Sequence, residues 1–261
     1  LYYSGASNNR IFHNNFINNI AQAFSSEATN IWDIDYPYGG NHWSDYIGGD
    51  SDGDGIGDTP YIIDANNLDH YPLMNPYGSP AESRTWTVDD DGPADFPTIQ
   101  EAVDAARPGD TIFVRNGTYT EEQVSIKKSL KLIGENKNAT VVDGAQSWVC
   151  VYVKSASDVR ISGFTIQNGY GIYLYRSRNV IVSGNIIANN GQGVVVLEST
   201  NSVIGNNIVT MNGAISILLS SSSENKICEN TVISNRGDAI WLENSTANTI
   251  NDNIVSRNGL N

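Results

Sequence analysis

Sulfur, imidazole and positive charge are all scarce in this 261-residue chain, which has two cysteines, two methionines and three histidines. Cys150 and Cys228 stand 78 residues apart, about three and a half of the repeats described below. That spacing puts their Cα atoms beyond the ~7 Å reach of a disulfide. No internal disulfide is expected, and Cys150, on the strand slot of Ile172, reads as a small core residue. His13, His42 and His70 share no ligand spacing, so delivery of a soft metal has little to work with. Fifteen Lys and Arg oppose 29 Asp and Glu, a formal net charge of −14. Without a basic stripe to meet phosphates, nucleic acid is disfavoured as a partner. No apolar run is long enough for a membrane span in this segment, and no secretory leader pattern is present. Residues 110–261 also lack any ten-residue helical stripe.

What is abundant is repetition. An apolar residue, usually Asn three positions on, and an apolar residue two further recur as Ile161-Phe164-Ile166, Val182-Asn185-Ile187, Ile204-Asn207-Val209, Ile227-Asn230-Val232, Ile250-Asn253-Val255 and Ile11-Asn14-Phe16. From Phe164 to Asn253 the middle members are 21, 22, 23 and 23 residues apart. A fixed period of this size marks a solenoid. Within each period, short runs such as Ile172-Tyr173-Leu174 alternate as strands do, and Asn, Gly and Ser clusters between them supply turns. The chain is therefore expected to be all-β, a right-handed parallel β-helix whose coils stack about 4.8 Å apart around Ile, Val and Leu columns. The recurring Asn fits a turn position where its amide bonds the neighbouring coil. With 39% apolar residues there is ample material for that core.

Two segments interrupt the coils. Thr98-Ile99-Gln100-Glu101 has capping-box spacing, and Ile99, Ala102, Val103 and Ala106 then line one face of a short helix ended by Arg107-Pro108-Gly109. Such a helix would cover the open end of an apolar column. Residues 33–77 are rich in Asp, Gly, Tyr and Pro, carry no coil pattern, and suit the opposite end. The caps hold 16 of the 29 acids, which points to a divalent cation. Residues 78–84 have linker composition. The expected organisation is thus 1–77 as the last coils and closing cap of a β-helix, 78–84 as linker, and 85–261 as the helix-capped opening and coils. Gly259-Leu260-Asn261 followed by Leu1-Tyr2-Tyr3-Ser4 also matches Gly171 to Ser177 slot for slot. This predicts that the coil at 261 continues in register into residue 1 of the same or the next unit.

The strongest chemical motif is Asp50-Ser51-Asp52-Gly53-Asp54-Gly55-Ile56-Gly57-Asp58. Alternate carboxylates with Gly for tight turning let one loop wrap a hard cation, here Ca2+ in a structural role. Asp50, Asp52, Asp54 and Asp58 would give side chains and Ile56 its carbonyl. Tyr61 at the twelfth position rules out an EF-hand, so a bidentate ligand would have to come from elsewhere, such as Asp45 or Asp64. Glycosylation sequons begin at Asn116, Asn138 and Asn244, a weak signal in an Asn-rich chain. Outward strand slots read Tyr173, Val195, Ser216, Trp241 and Asn261 in one column and Tyr175, Leu197, Leu218, Glu243 and Tyr2 in the next. Asp158, Glu198, Glu229 and Asp252 fall on different slots and make no evident acid pair. Leu1, Tyr2, Leu260 and Asn261 at the seam, with Tyr173, Tyr175 and Trp241, are the candidates for self-association, although exposed aromatics could equally stack on sugar rings.

Trp86-Thr87-Val88-Asp89-Asp90-Asp91-Gly92, Phe96 through Val103, and Pro108 through Val114 with Gly117-Thr118-Tyr119 resemble the opening of NosD-type β-helix domains, also called carbohydrate-binding and sugar-hydrolase β-helices. Gly40 through Tyr46, Asp52 through Tyr61 and Tyr71-Pro72-Leu73-Met74 resemble the closing segment of the same family, here placed first. The resemblance covers nearly the whole chain. It implies a parallel β-helix of the kind abundant in archaeal surface proteins, and an extracellular or cell-surface home. It implies an activity only weakly, since the fold hosts lyases, hydrolases, epimerases and structural proteins alike.

Two functional readings stay open. The first is a structural surface protein, with copies of itself as partner head-to-tail and laterally, building a calcium-stabilised filament, sheath or surface layer. The second is a polysaccharide-binding or polysaccharide-cleaving β-helix, with surface glycans as partner. No catalytic residues are assigned, and the first reading is favoured over an enzyme.

Overall fold

The computed structural model describes residues 2–26, 28–36, 38–51, 54–78, 83–146 and 149–259. They form two compact units, Leu1–Glu82 and Ser83–Asn261. Residues 79–82 of the expected linker lie outside the described residues.

The second unit is a right-handed parallel β-helix with three sheets, each built from one short strand per coil. The first sheet holds Val124–Ile126, Val151–Lys154, Ile172–Tyr175, Val194–Leu197, Ile217–Ser220 and Ile240–Glu243. The second runs from Thr85–Val88 through Arg160–Ser162 to Thr249–Asn251, and the third from Gly117–Thr120 to Ile254–Ser256. Register is set by the apolar alternation, because a one-residue slip would turn every core side chain outward. Ile112, Leu132, Ile161, Val182, Ile204 and Ile227 stack as one inner column, and Val142, Ile166, Ile187, Val209 and Val232 as another. All are fully buried, each contributing roughly 1.5–3 kcal/mol.

The corners are held by side-chain ladders. Asn185, Asn207 and Asn230 each donate their backbone N–H to Oδ1 of the next Asn at 3.0 Å, ending on Asn253. Asn190, Asn212 and Asn235 do the same at a second corner, ending on Asn258. Ser177, Ser199, Ser222 and Ser245 carry a hydroxyl version at the third. Each corner also contains a residue in the left-handed region, for example Asn168, Asn189, Met211, Ser234 and Arg257 in one column. Asn and Gly adopt that conformation readily, and Met and Arg less so.

The helix Ile99–Ala105 covers the start of the core with Ile99, Ala102 and Val103 buried. Thr98 Oγ1 accepts from Glu101 N at 3.3 Å, which is one half of the expected capping box. The first two helical N–H groups, of Ile99 and Gln100, go instead to the carboxylate of Glu121. Burial pushes the Glu121 carboxyl up, against those two hydrogen bonds, which act to lower it.

In the first unit, Tyr2–Ser4 pairs with Phe24–Ser26 and Asn15–Phe16 with His42–Trp43, both parallel. Tyr61–Asp64 and Asn67–Asp69 form an antiparallel pair. The Asn ladder runs here too, from Asn14 to Asn41 and from Asn9 to Asn30. It ends on Asp69 and Asn67: Asp69 Oδ2 accepts from Asn41 N at 2.6 Å and from the Trp43 indole at 2.9 Å, and Asn67 Oδ1 from Asn30 N and the Trp32 indole. A Cβ at Gly40 would overlap the Asp69 carboxylate. Residues 33–77 therefore contain true rungs that the missing apolar repeat conceals.

Two slots differ from the sequence reading. Leu218, not Ser216, follows Val195 in the outward column, and Ser220, not Leu218, follows Leu197, so both slots lie two residues further along the chain than the sequence reading placed them. Cys150 is buried, yet Val151 takes the slot beside Ile172.

Truncating Asn207→Ala strips the acceptor from Asn185 and leaves buried donors unmet. Chemical denaturation should show a loss of about 3 kcal/mol, at the usual 1–3 kcal/mol per orphaned buried group. Glu121 titrates above its ordinary 4.5 in the folded chain, so its charge-linked contribution is fully present below pH 4.5 and lost as pH rises through the folded value. The stability of the parent relative to Glu121→Gln, followed by denaturation against pH, should decline over that interval.

Candidate functional site

The Asp-rich loop is closed by its own backbone. Asp50 accepts from Asp54 N through Oδ1 and from Gly55 N through Oδ2, both at 2.9 Å. Asp54 Oδ1 accepts from Ile56 N at 2.7 Å. Asp58 Oδ2 accepts from the Ser51 hydroxyl at 2.6 Å and its N–H at 2.9 Å, and these bonds hold the Asp58 carboxyl below the usual range. Ile56 is buried and bridges to Leu73. Asp52 lies outside the described residues. Asp64 is engaged elsewhere, gripping the Asn67 amide with both oxygens, and Asp45 accepts from the Tyr61 hydroxyl at 3.2 Å. Among the described residues, the acids whose ligand atoms converge within 4.8 Å are Asp89, Asp90 and Asp91.

Asn116, Asn138 and Asn244 are all exposed, but the Thr140 hydroxyl of the middle sequon is buried and donates to Asn116 Oδ1. Leu1, Leu260 and Asn261 lie outside the described residues, and so does the side chain of Tyr2. Tyr173 and Tyr175 are half-buried; the first donates its hydroxyl to Gln192 Oε1 and the second lies under the Arg176 guanidinium. Trp241 is exposed. Val195 between them is buried, so the outer column is no continuous aromatic strip. Glu229 and Asp252, read from sequence as separate slots, stack at one corner, both left-handed.

Two clefts are lined by described residues. One, of about 400 Å³, is lined by Asp45, Tyr46, Ile47, Gly48, Thr59, Pro60, Tyr61 and Ile62. Tyr61 stacks on Trp43 at 4.2 Å, and Trp43 on Phe16 at 4.2 Å. Burial, then the Asp45 charge, pushes the Tyr61 phenol up to about 12.

The other, of about 280 Å³, lies on the flank of the second unit where the third sheet turns into the first. Gln146, Asn168, Gly169, Tyr170, Asn189 and Gly191 line it. The Tyr170 ring rests over Gly191, where an added Cβ would meet it at 3.2 Å. Asn168 and Asn189 hold left-handed corners of adjacent coils. Asp143 Oδ2 accepts from Asn168 Nδ2 at 2.7 Å and Gln167 Nε2 at 3.1 Å. Burial opposes its charge, but hydrogen bonds from Ala145, Asn168 and Gln167 outweigh that and hold the carboxyl low. The lining therefore offers an aromatic face beside amide donors and acceptors. The sequence reading missed it because Tyr170 sits in a turn, off every strand column; Gly at 169, 171, 191 and 193 was the available signal.

The family model described as periplasmic copper-binding protein (NosD) matches residues 103–261. The probable ABC transporter binding protein NosD of Stutzerimonas stutzeri is 41% identical over 59 residues, which are 22% of this chain and 13% of that protein. An alginate lyase from Paenibacillus sp. str. FPU-7 superposes with a TM-score of 0.50 at 18% identity, covering 67% of this chain and 77% of that one. A periplasmic alginate epimerase, AlgG, gives 0.49 at 13% identity over 98% and 47%. At these identities the likeness concerns the fold. Copper does not fit the described residues. His13, His42 and His70 each bond a separate carbonyl or carboxylate, and both cysteines are buried within the second unit.

Proposed function

The chain belongs to the NosD family, and from that premise we propose that it is a carbohydrate-binding β-helix working outside the cytoplasm, in the periplasm or beyond. The groove at Tyr170 carries this reading. A pyranose ring can lie on the phenol face while its hydroxyls exchange hydrogen bonds with Gln146, Asn168 and Asn189. The described lining offers amides and a phenol, groups suited to binding sugar hydroxyls and ring faces. The surface filament, sheath or layer has less behind it, since Tyr173 and Tyr175 are already engaged within the coil.

The chain should retard on native gels cast with one or more members of a panel of soluble neutral and acidic polysaccharides. Tyr170→Ala should weaken that binding about tenfold, the equivalent of one lost stacking contact. Failure of the parent to bind across the panel would remove the reading.

Ca2+ at the 50–58 loop is proposed with it, in a structural role. Asp50, Asp52, Asp54 and Asp58 would supply carboxylates and Ile56 its carbonyl. Calorimetric titration of chelator-treated protein should give a binding isotherm that Asp54→Ala abolishes, and chelator should lower the melting temperature of the parent. A flat titration of the parent excludes the site.

A further inference from the structure

Behind the Tyr170 groove lies a fixed charge. Asp143 pairs with Gln167 across adjacent coils, and Gln167 directly precedes Asn168 of the groove lining. Asp143 Oδ1 accepts from the Ala145 N–H at 3.0 Å, and its Oδ2 from Asn168 Nδ2 at 2.7 Å and Gln167 Nε2 at 3.1 Å. Burial acts to raise the carboxyl, but those donors outweigh it and hold it below its ordinary range, so it is an anion at neutral pH. Glu122, exposed on the coil before, adds a second acid to this flank, next to Glu121, whose N–H donates to the Asp143 carbonyl.

An ionised carboxylate can only accept, so the Asn168 amide has to turn its NH2 toward Asp143. This leaves Oδ1 as the outward end of an exposed side chain. A sugar hydroxyl can donate to that oxygen. A uronate carboxylate cannot, since it would set acceptor against acceptor with the Asp143 charge behind them. A unit charge about 6 Å away in water changes a charged ligand's affinity about threefold. Arg236 and Arg257, on the same corner, are too distant to reverse this. They follow Asn189 by two and three coils, along the column Asn189, Met211, Ser234 and Arg257. At about 4.8 Å per coil they stand roughly 10 and 14 Å off, beyond the ~8 Å screening length of physiological salt.

Taking the Tyr170 groove as a carbohydrate site, the reading on which this rests, we propose that it selects neutral polysaccharides over polyuronates, and that Asp143 sets the choice through Asn168. Asp143 is a positioning residue: it holds the Asn168 amide and supplies the charge behind it, and the sugar meets Asn168.

The matched probes are the neutral polysaccharide that most retards the parent on native gels and the same polymer with part of its C6 hydroxyls oxidised to carboxylates. The parent should bind the oxidised polymer at least about threefold more weakly, and the gap should narrow as salt rises to about 0.5 M. Asp143→Asn should bring the ratio of the two affinities toward unity. Glu224→Gln makes an equal charge change at an exposed position between the first and second sheets, and should leave the ratio as in the parent. A parent that binds the oxidised polymer as tightly as the neutral one, or binds only acidic polysaccharides, overturns the selection and leaves the carbohydrate reading standing. An Asp143→Asn ratio equal to the parent's, or equal relief by Glu224→Gln, overturns the role of Asp143. Binding to no polysaccharide at all removes the carbohydrate reading itself, and this selection with it.

Discussion

A solenoid turns its backbone through three corners per coil, and at each corner a peptide N–H faces inward, away from water. The structure depends on supplying that donor with an acceptor, because an unmet buried N–H costs about 1–3 kcal/mol and the fault recurs in every coil. Asn answers it with one side chain. Its Oδ1 takes the N–H of the coil before, while Nδ2 returns to a carbonyl of that coil, as Asn230 does toward Asn207 and Ile204. The apolar columns supply most of the driving force, but the amide ladders fix where one coil must sit on the next. Charge is thereby excluded from the coil interior, and the acids gather in the two end segments.

Most of the coil architecture was legible in the sequence because the ladder and the inner columns both have to repeat. Ile161, Phe164 and Ile166 announce the same three slots as Ile204, Asn207 and Val209, and all but the ladder Asn are core residues. What escaped was whatever does not repeat. Glu121 completes the helix cap from 22 residues away, so no local pattern exposes it. Trp32 and Trp43 close the first unit through indole bonds to Asn67 and Asp69, in a segment whose composition resembles a loop. The slip at Ser216 is one of two residues, which leaves the in–out alternation in phase and so goes unseen in it.

The candidate groove was illegible for a related reason. Strand columns predict outward faces, yet the concavity forms at a corner where glycines let Tyr170 lie flat against the neighbouring coil. Corner residues tolerate change in side chain so long as the backbone reaches the left-handed region; Asn168, Met211 and Arg257 share one column. The core columns and the ladder Asn positions admit little variation, while the left-handed positions beside them carry Asn, Met, Ser or Arg within one column.

Asp69 has a consequence for the whole architecture. An Asn at the last rung would bring an amide group to a position where the Tyr71 N–H already points at Oδ1, setting donor against donor. A carboxylate has no hydrogen to pass on, so the relay of amides stops there. Because the backbone N–H of each rung is handed one way, from Asn14 to Asn41 and from Asn41 to Asp69 in the first unit, the stack of rungs there has a sense, like a strand with distinct ends. Lengthening that stack would have to proceed through whole rungs inserted ahead of Asp69.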